Sequence, residues 1–239
     1  LTSLNQSLPT KMVSSKSLSD QLRKIISLHG GSVSQNFHSV SHYPHPHKKY
    51  NELSSSIIIS DAPKRTEKYL MAIIYGTPCL HYRWIFDCCL KGKIINYQKH
   101  REYQLPYGKS ETSEKLVFPY DDQHLNVQFP PNIFDGLRCE VITTKQVVKD
   151  LWSKVLRAAG ARVVIRLGVL ESEKRLELLI TDTKPSRFLF LQSKRLKIPI
   201  VSTEWVYQCL LKRKKIMTDK FAFQTHGETD DGDDNDDSD

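Results

Sequence analysis

Hydrophobic positions along the chain fall into two patterns. Leu18, Leu22, Ile25 and Ile26 recur at i, i+4, i+7 and i+8, and so do Val148, Trp152, Val155 and Leu156. That spacing lines one face of an α-helix. Residues 57–59 and 178–180 are short, unbroken apolar runs, which read as strands buried on both faces. Gly30-Gly31 and Gly160 stand where the two amphipathic helices should stop.

The patterns come twice because the chain repeats itself. Ile57-Ile58-Ile59-Ser60-Asp61 lies over Leu178-Leu179-Ile180-Thr181-Asp182 at an offset of 121 residues. The same offset puts Pro78 on Pro199, Trp84 on Trp205, Cys88 on Cys209, Leu90 on Leu211 and Lys91 on Lys212. Upstream, an offset of 130 places Met12 on Ile142, Ser14 on Thr144, Leu18 on Val148 and Gly30 on Gly160. The nine extra residues of the first copy fall within residues 38–52, a His-, Pro- and Ser-rich stretch that reads as a loop.

Each copy predicts one order of elements. A strand (residues 11–14 or 138–143) leads to the amphipathic helix. A second strand follows the glycine stop (32–35 or 162–165), and the buried strand comes third. A helix over 63–75 or 185–196 precedes a short strand at 79–80 or 200–201. The last helix carries Trp84 and Cys88, or Trp205 and Cys209. Strands alternating with helices imply an α/β fold, a four-stranded parallel sheet flanked by helices, built twice. We place the first repeat at 1–103, a Pro-containing linker at 104–135, the second repeat at 136–226 and an acidic tail at 227–239.

Composition narrows the class. Of 239 residues, 39% are hydrophobic and 26% charged, enough apolar material for a core and too much for global disorder. No apolar run reaches the roughly 18 residues of a membrane span, so no membrane partner is expected. Residues 1–10 show no signal-peptide core. The first residue is Leu1 rather than Met, and the chain reads as a piece of a longer protein. Eight acids and no base follow Gly227, so residues 1–227 hold 35 bases against 19 acids, a surplus of +16. A body that basic suits an anionic partner, and a tail that acidic is expected to be disordered. The five cysteines form no CxxC pair, and Cys88 and Cys89 are adjacent. Buried thiols in a reducing compartment fit better than zinc or disulfides.

A strand, a helix ending in Gly-Gly, a buried strand ending in Asp, and a last helix with Trp-x-x-x-Cys together resemble the BRCT domain. Two copies with such a linker resemble a tandem BRCT unit, over roughly residues 9–223. Gly76-Thr77-Pro78-Cys79, then Trp84, Asn96-Tyr97 and Gln104-Leu105-Pro106-Tyr107-Gly108, narrow the likeness. They resemble the p53-binding-protein and fungal DNA-damage checkpoint-mediator family. Arg65-Thr66-Glu67-Lys68 is similar to the Arg-Thr-x-Lys of its phosphopeptide-binding members. Met12-Val13-Ser14-Ser15 resembles the end of their first strand, with Ser15 where members usually carry Gly.

The resemblance implies a phosphate site in the first repeat. There Ser14 offers its hydroxyl, Ser15 its N–H and Lys68 its charge, while Arg65 holds the free carboxylate of a peptide terminus. The implied ligand is phosphoserine-Gln followed by two residues and the chain end, as in a phosphorylated histone tail. The position three after the phosphoserine would be read between the repeats. The residue types suit the task. A phosphoserine brings about two negative charges and three acceptor oxygens, helix N-termini favour anions, and the planar Arg fork suits a carboxylate. Arg65 and Lys68, three apart, are expected to share a helix face. Beside Glu67 and Asp61 they could equally be a solvated face, but the repeat argues for a pocket. At the matching offset the second copy keeps Thr144 and has Ser186 and Leu189 in place of the two cations.

The expected function is a non-enzymatic phosphoprotein-binding module of a nuclear DNA-damage checkpoint adaptor, needing no cofactor. A phosphorylated protein or histone tail is the first partner, with a homodimer and checkpoint kinases as further ones. The alternatives are a phosphate-independent scaffold or homodimerisation module and, with less support, direct DNA binding by the basic body. His38, His42, His45 and His47 lie in the extra loop with no cysteine among them, so no metal site is assigned. Lys212-Arg213-Lys214-Lys215 reads either as a nuclear-localisation or nucleic-acid patch or as a solvated helix end. Asp61 and Asp182 at strand ends are expected to cap helices. No Walker loop, GxGxxG, GxSxG or HExxH occurs.

Overall fold

The computed structural model describes residues 15–34, 56–119, 132–164 and 176–223. The chain divides into two compact units. The first takes residues 1–72, 76–107 and 118–125; the second takes 73–75, 108–117 and 126–239.

In the first unit, helix α1 (Ser15–Leu28) ends where Gly31 donates its N–H to Ile26 and Gly30 adopts φ +80°. Its predicted stripe, Leu22, Ile25 and Ile26, packs on Leu80, Trp84, Ile95 and Tyr97. Strand β1 (Ile58–Ser60) leads to α2 (Glu67–Tyr75), β2 (Cys79–His81) and α3 (Arg83–Lys91). β1 and β2 are parallel, with Ile58 opposite Cys79 and Ser60 opposite His81. From Tyr69 to Ile74 every residue of α2 is buried. The expected strand at 11–14 lies outside the described residues. Residues 32–34 form no strand; strand structure is a ladder, and the segment that should pair with them is not described.

The region expected to be a plain linker contains a small antiparallel hairpin, β3 (Gly108–Lys109) against β4 (Leu116–Val117), which groups with the second unit. It docks on one buried side chain. Gln208 donates to the Lys109 carbonyl at 3.1 Å and accepts from the Glu111 N–H at 3.1 Å. Gly108 is required by close approach, because a Cβ there would run into the hydroxyl and ring of Tyr207.

The second unit shows the four-stranded parallel sheet in full. Its elements are β5 (Arg138–Val141), α4 (Gln146–Ala158), β6 (Arg162–Val164), β7 (Leu178–Thr181), α5 (Arg187–Leu196), β8 (Ile200–Ser202) and α6 (Thr203–Lys212). The strand order is β6-β5-β7-β8 and every pair is parallel. The apolar run in β7 is buried throughout, as a central parallel strand must be. Trp152, Val155 and Leu156 of α4 are buried, and residues 205–211 of α6 are all buried. Phe134 packs on Trp205 with ring centroids 5.4 Å apart.

Two helices start later than their prolines suggest. Thr66 precedes α2 and Ser186 precedes α5 with ψ near 159° and 153°, extended backbone that cannot belong to a helix. The first i→i+4 bonds run from Leu70 to Thr66 and from Phe190 to Ser186. Asp61 and Asp182 therefore do not cap these helices. Asp61 instead pairs with Lys64 at 2.6 Å.

Candidate functional site

The candidate site forms where the chain leaves β1 and enters α2. After Ser60 the backbone turns sharply. The Ser60 hydroxyl donates to the Ala62 carbonyl at 2.8 Å and to the Asp61 carboxylate at 3.2 Å. The Lys64 hydrogen bond and charge hold the Asp61 carboxyl below its ordinary range, so that acid is occupied by its neighbour. Further on, Arg65 and Thr66 bring the chain to the head of α2, and Lys68 is its second residue. Arg65 and Lys68 are both exposed. Lys68 has no carboxylate partner among the described residues.

Arg65 and Lys68 do not share a helix face, because Arg65 lies outside the helix, before the residue that caps it. Arg65 lies three residues before Lys68, which stands in the first turn of α2 at the positive end of the helix dipole. The Thr66 side chain makes no capping hydrogen bond, so the first-turn N–H groups are not covered by it. The second unit differs. There the Ser186 hydroxyl accepts the Leu189 N–H at 3.2 Å. The helix frames also correct the sequence match. The caps are 120 residues apart, so Lys68 corresponds to Phe188 rather than Leu189; α5 holds one residue more than α2.

Ser14 lies outside the described residues, as does the His-rich stretch with His38, His42, His45 and His47. Ser15 opens α1, so its N–H belongs to a first turn whose donors have no acceptor within the helix. Lys212 ends α6 and donates to the Thr112 hydroxyl, while Lys214 and Lys215 are exposed.

Several supports of α2 are not visible as motif chemistry. Tyr69, the residue after Lys68, donates its hydroxyl to the Pro106 carbonyl at 2.7 Å. Tyr107 donates to the Thr77 carbonyl at 3.2 Å, just beyond the left-handed Gly76 that ends the helix. These bonds tie both ends of α2 to the segment 104–107, whose Pro-Tyr pair was the available signal. At the end of β2, His81 accepts the Arg83 N–H on Nδ1 at 3.2 Å. Burial first, and then repulsion from Arg83, hold its pKa below the ordinary 6.5, with Asp61 opposing.

Nucleophile chemistry finds little here. Burial pushes the thiols of Cys79, Cys139 and Cys209 up to about 12, far from a reactive thiolate. Among the described residues, no group of three or more His, Cys, Asp or Glu could hold a metal. No described helix is long and apolar enough to cross a membrane.

A family model described as the BRCA1 C Terminus (BRCT) domain matches residues 13–89, and a second with that description matches residues 132–225. The chain is 22% identical over 200 residues to DNA repair protein crb2 of Schizosaccharomyces pombe, a match that covers 72% of this chain and 23% of that protein. It is 26% identical over 117 residues to DNA damage response protein Mdb1 of the same organism, covering 45% and 17%. The chain thus spans less than a quarter of the length of either relative. Among solved structures it resembles Rtt107p in complex with a phosphorylated histone, at 19% identity and a TM-score of 0.51 over 84% of each chain.

Proposed function

Because the chain belongs to the BRCT family and carries two BRCT domains in tandem, we propose that it is the phosphoprotein-binding module of a nuclear DNA-damage checkpoint adaptor. Its ligand is a phosphoserine close to a chain terminus, as in a phosphorylated histone tail. The relatives support the setting: crb2 is named for DNA repair and Mdb1 for the DNA damage response. Rtt107p, which shares the fold, was solved with a phosphorylated histone.

The observation that carries the reading is the head of α2. Lys68 is exposed with no carboxylate partner among the described residues, beside first-turn donors that Thr66 leaves uncapped. Asp61, the acid that precedes the helix along the chain, is taken by Lys64. A phosphate placed there meets a cation and a helix N-terminus together. Ser14 and the Ser15 N–H complete the phosphate cradle in this reading, and Arg65 takes the terminal carboxylate. The second domain, with Ser186 capping its own helix and Phe188 in place of Lys68, serves as a structural partner.

Fluorescence polarisation at physiological salt tests this with one peptide in three forms. They are phosphoserine-Gln-x-x with a free carboxyl end, the same with an amide end, and the unphosphorylated parent. Micromolar binding to the first alone, about −8 kcal/mol, is expected. Equal binding of both phosphorylated forms removes the role of Arg65. Binding of none overturns the reading in favour of a phosphate-independent scaffold.

A further inference from the structure

Helix α5 of the second unit carries large apolar residues on two faces. Its inner residues Leu189, Phe190 and Leu196 pack on Leu179, Ile198 and Ile200, and Ser193 is buried. That accounts for the helix as part of the core. The outer face should then be polar, as surface faces of amphipathic helices are. It is not: Phe188 is 70% exposed and Leu191 is 56% exposed. The two are three residues apart and therefore adjacent on the helix surface.

Around this apolar pair stand Arg187, Lys194 and Arg195, all exposed. α5 contains no acidic residue, and none of the three cations has a carboxylate partner among the described residues. Lys194 leans over the Phe190 ring, 5.1 Å from its centroid. In the first unit the corresponding helix exposes no large apolar side chain. The feature belongs to α5 and not to the shared fold.

We propose that the outer face of α5 is a docking surface for an acidic amphipathic helix of a partner protein. Two exposed apolar residues ask for apolar knobs at helical spacing, and the three surrounding cations ask for carboxylates between those knobs. Nucleic acid would satisfy the cations and leave Phe188 and Leu191 bare. So would residues 224–239 of this chain, which carry eight acids and no large apolar residue. The surface lies on another helix than the phosphate site, and the proposal does not rest on that site.

The test uses the full chain and a labelled peptide of about 18 residues, long enough to form a helix on binding. The peptide carries Leu at i, i+3 and i+7 with Asp and Glu elsewhere. Controls are a scrambled peptide of the same composition and a duplex DNA. The helical peptide is expected to bind in the micromolar range, and the scrambled one about tenfold more weakly or worse. The F188S/L191S variant and the R187E/R195E variant should each lose about tenfold or more. These positions are exposed, and an unchanged melting temperature verifies that each variant is folded. Three results overturn the proposal. One is no binding of the helical peptide up to about 1 mM. Another is tighter binding of DNA that charge reversal abolishes and F188S/L191S does not. The third is binding that appears only after deletion of residues 224–239 and ignores Phe188, which would assign the face to the chain's own tail.

Discussion

Trp84 and Cys88 close on a single residue. The Trp84 indole donates to the Ile95 carbonyl at 2.9 Å, and the Cys88 sulfur accepts the Ile95 N–H at 3.3 Å. Trp205 and Cys209 repeat the arrangement on Ile216, at 3.0 and 3.5 Å. Spacing of four puts Trp and Cys on one helix face. A left-handed residue, Gly92 or Arg213, then turns the chain back so that both backbone groups of one residue meet that face. Sequence suggests core for these side chains; the structure adds that they clasp the segment following the helix.

Trp205 is 1% exposed, so Trp205→Phe removes volume and leaves the Ile216 carbonyl without its donor. The expected cost is about 2–4 kcal/mol, read as a lowered midpoint in urea. A change within about 0.5 kcal/mol would mean that the clasp contributes nothing to stability.

The proposed phosphate site yields its own numbers. Lys68→Met should weaken phosphopeptide binding by about 2–4 kcal/mol and leave the melting temperature unchanged, because the side chain is exposed. Arg65→Ala should abolish discrimination between free and amidated peptide ends. Titrations of both variants beside the parent chain check this, and unchanged Lys68→Met affinity sinks the site assignment.

At the hairpin, Gly108→Ala drives a Cβ into Tyr207. Overpacking of this kind costs about 1–3 kcal/mol. The nearest atom is the Tyr207 hydroxyl, so adding Tyr207→Phe should recover part of the loss. Melting temperatures of the single and double variants decide it; a neutral Gly108→Ala contradicts the close approach.

His81 predicts a pH dependence. Its folded pKa lies below the ordinary 6.5, so the folded state takes up the proton less readily than the unfolded one. The stability it contributes is complete above 6.5 and is lost as pH falls through 6.5 toward the depressed folded value. Protonation of Nδ1 also removes the acceptor of the Arg83 N–H. Melting curves between about pH 7.5 and 5 should show a shallower decline in His81→Gln than in the parent; parallel curves would exclude the effect.

Much of the fold was legible along the chain. The stripe Leu22-Ile25-Ile26 became a half-buried face packed on the core and Trp152-Val155-Leu156 a buried one, because a helix that must cover one side writes its period into the sequence. The run 178–180 became the buried β7 for a similar reason. The cations at α2 were legible as residue types. Their geometry was not: the turn from Ser60 to Thr66 has no periodicity, and its hydrogen bonds and the Asp61–Lys64 pair are formed only in the folded chain.

By itself the sequence determined the two-fold repeat and the parallel α/β class, which follow from spacing along the chain, while the charged residues of the candidate site stood out through the family resemblance. Only the tertiary structure decided that the strands lie in the order β6-β5-β7-β8, that Gln208 holds the hairpin, and that Phe188 and Leu191 stand exposed among cations. Those outcomes depend on which distant segments come together, and a side chain's exposure is set by its neighbours in space, which spacing along the chain does not record.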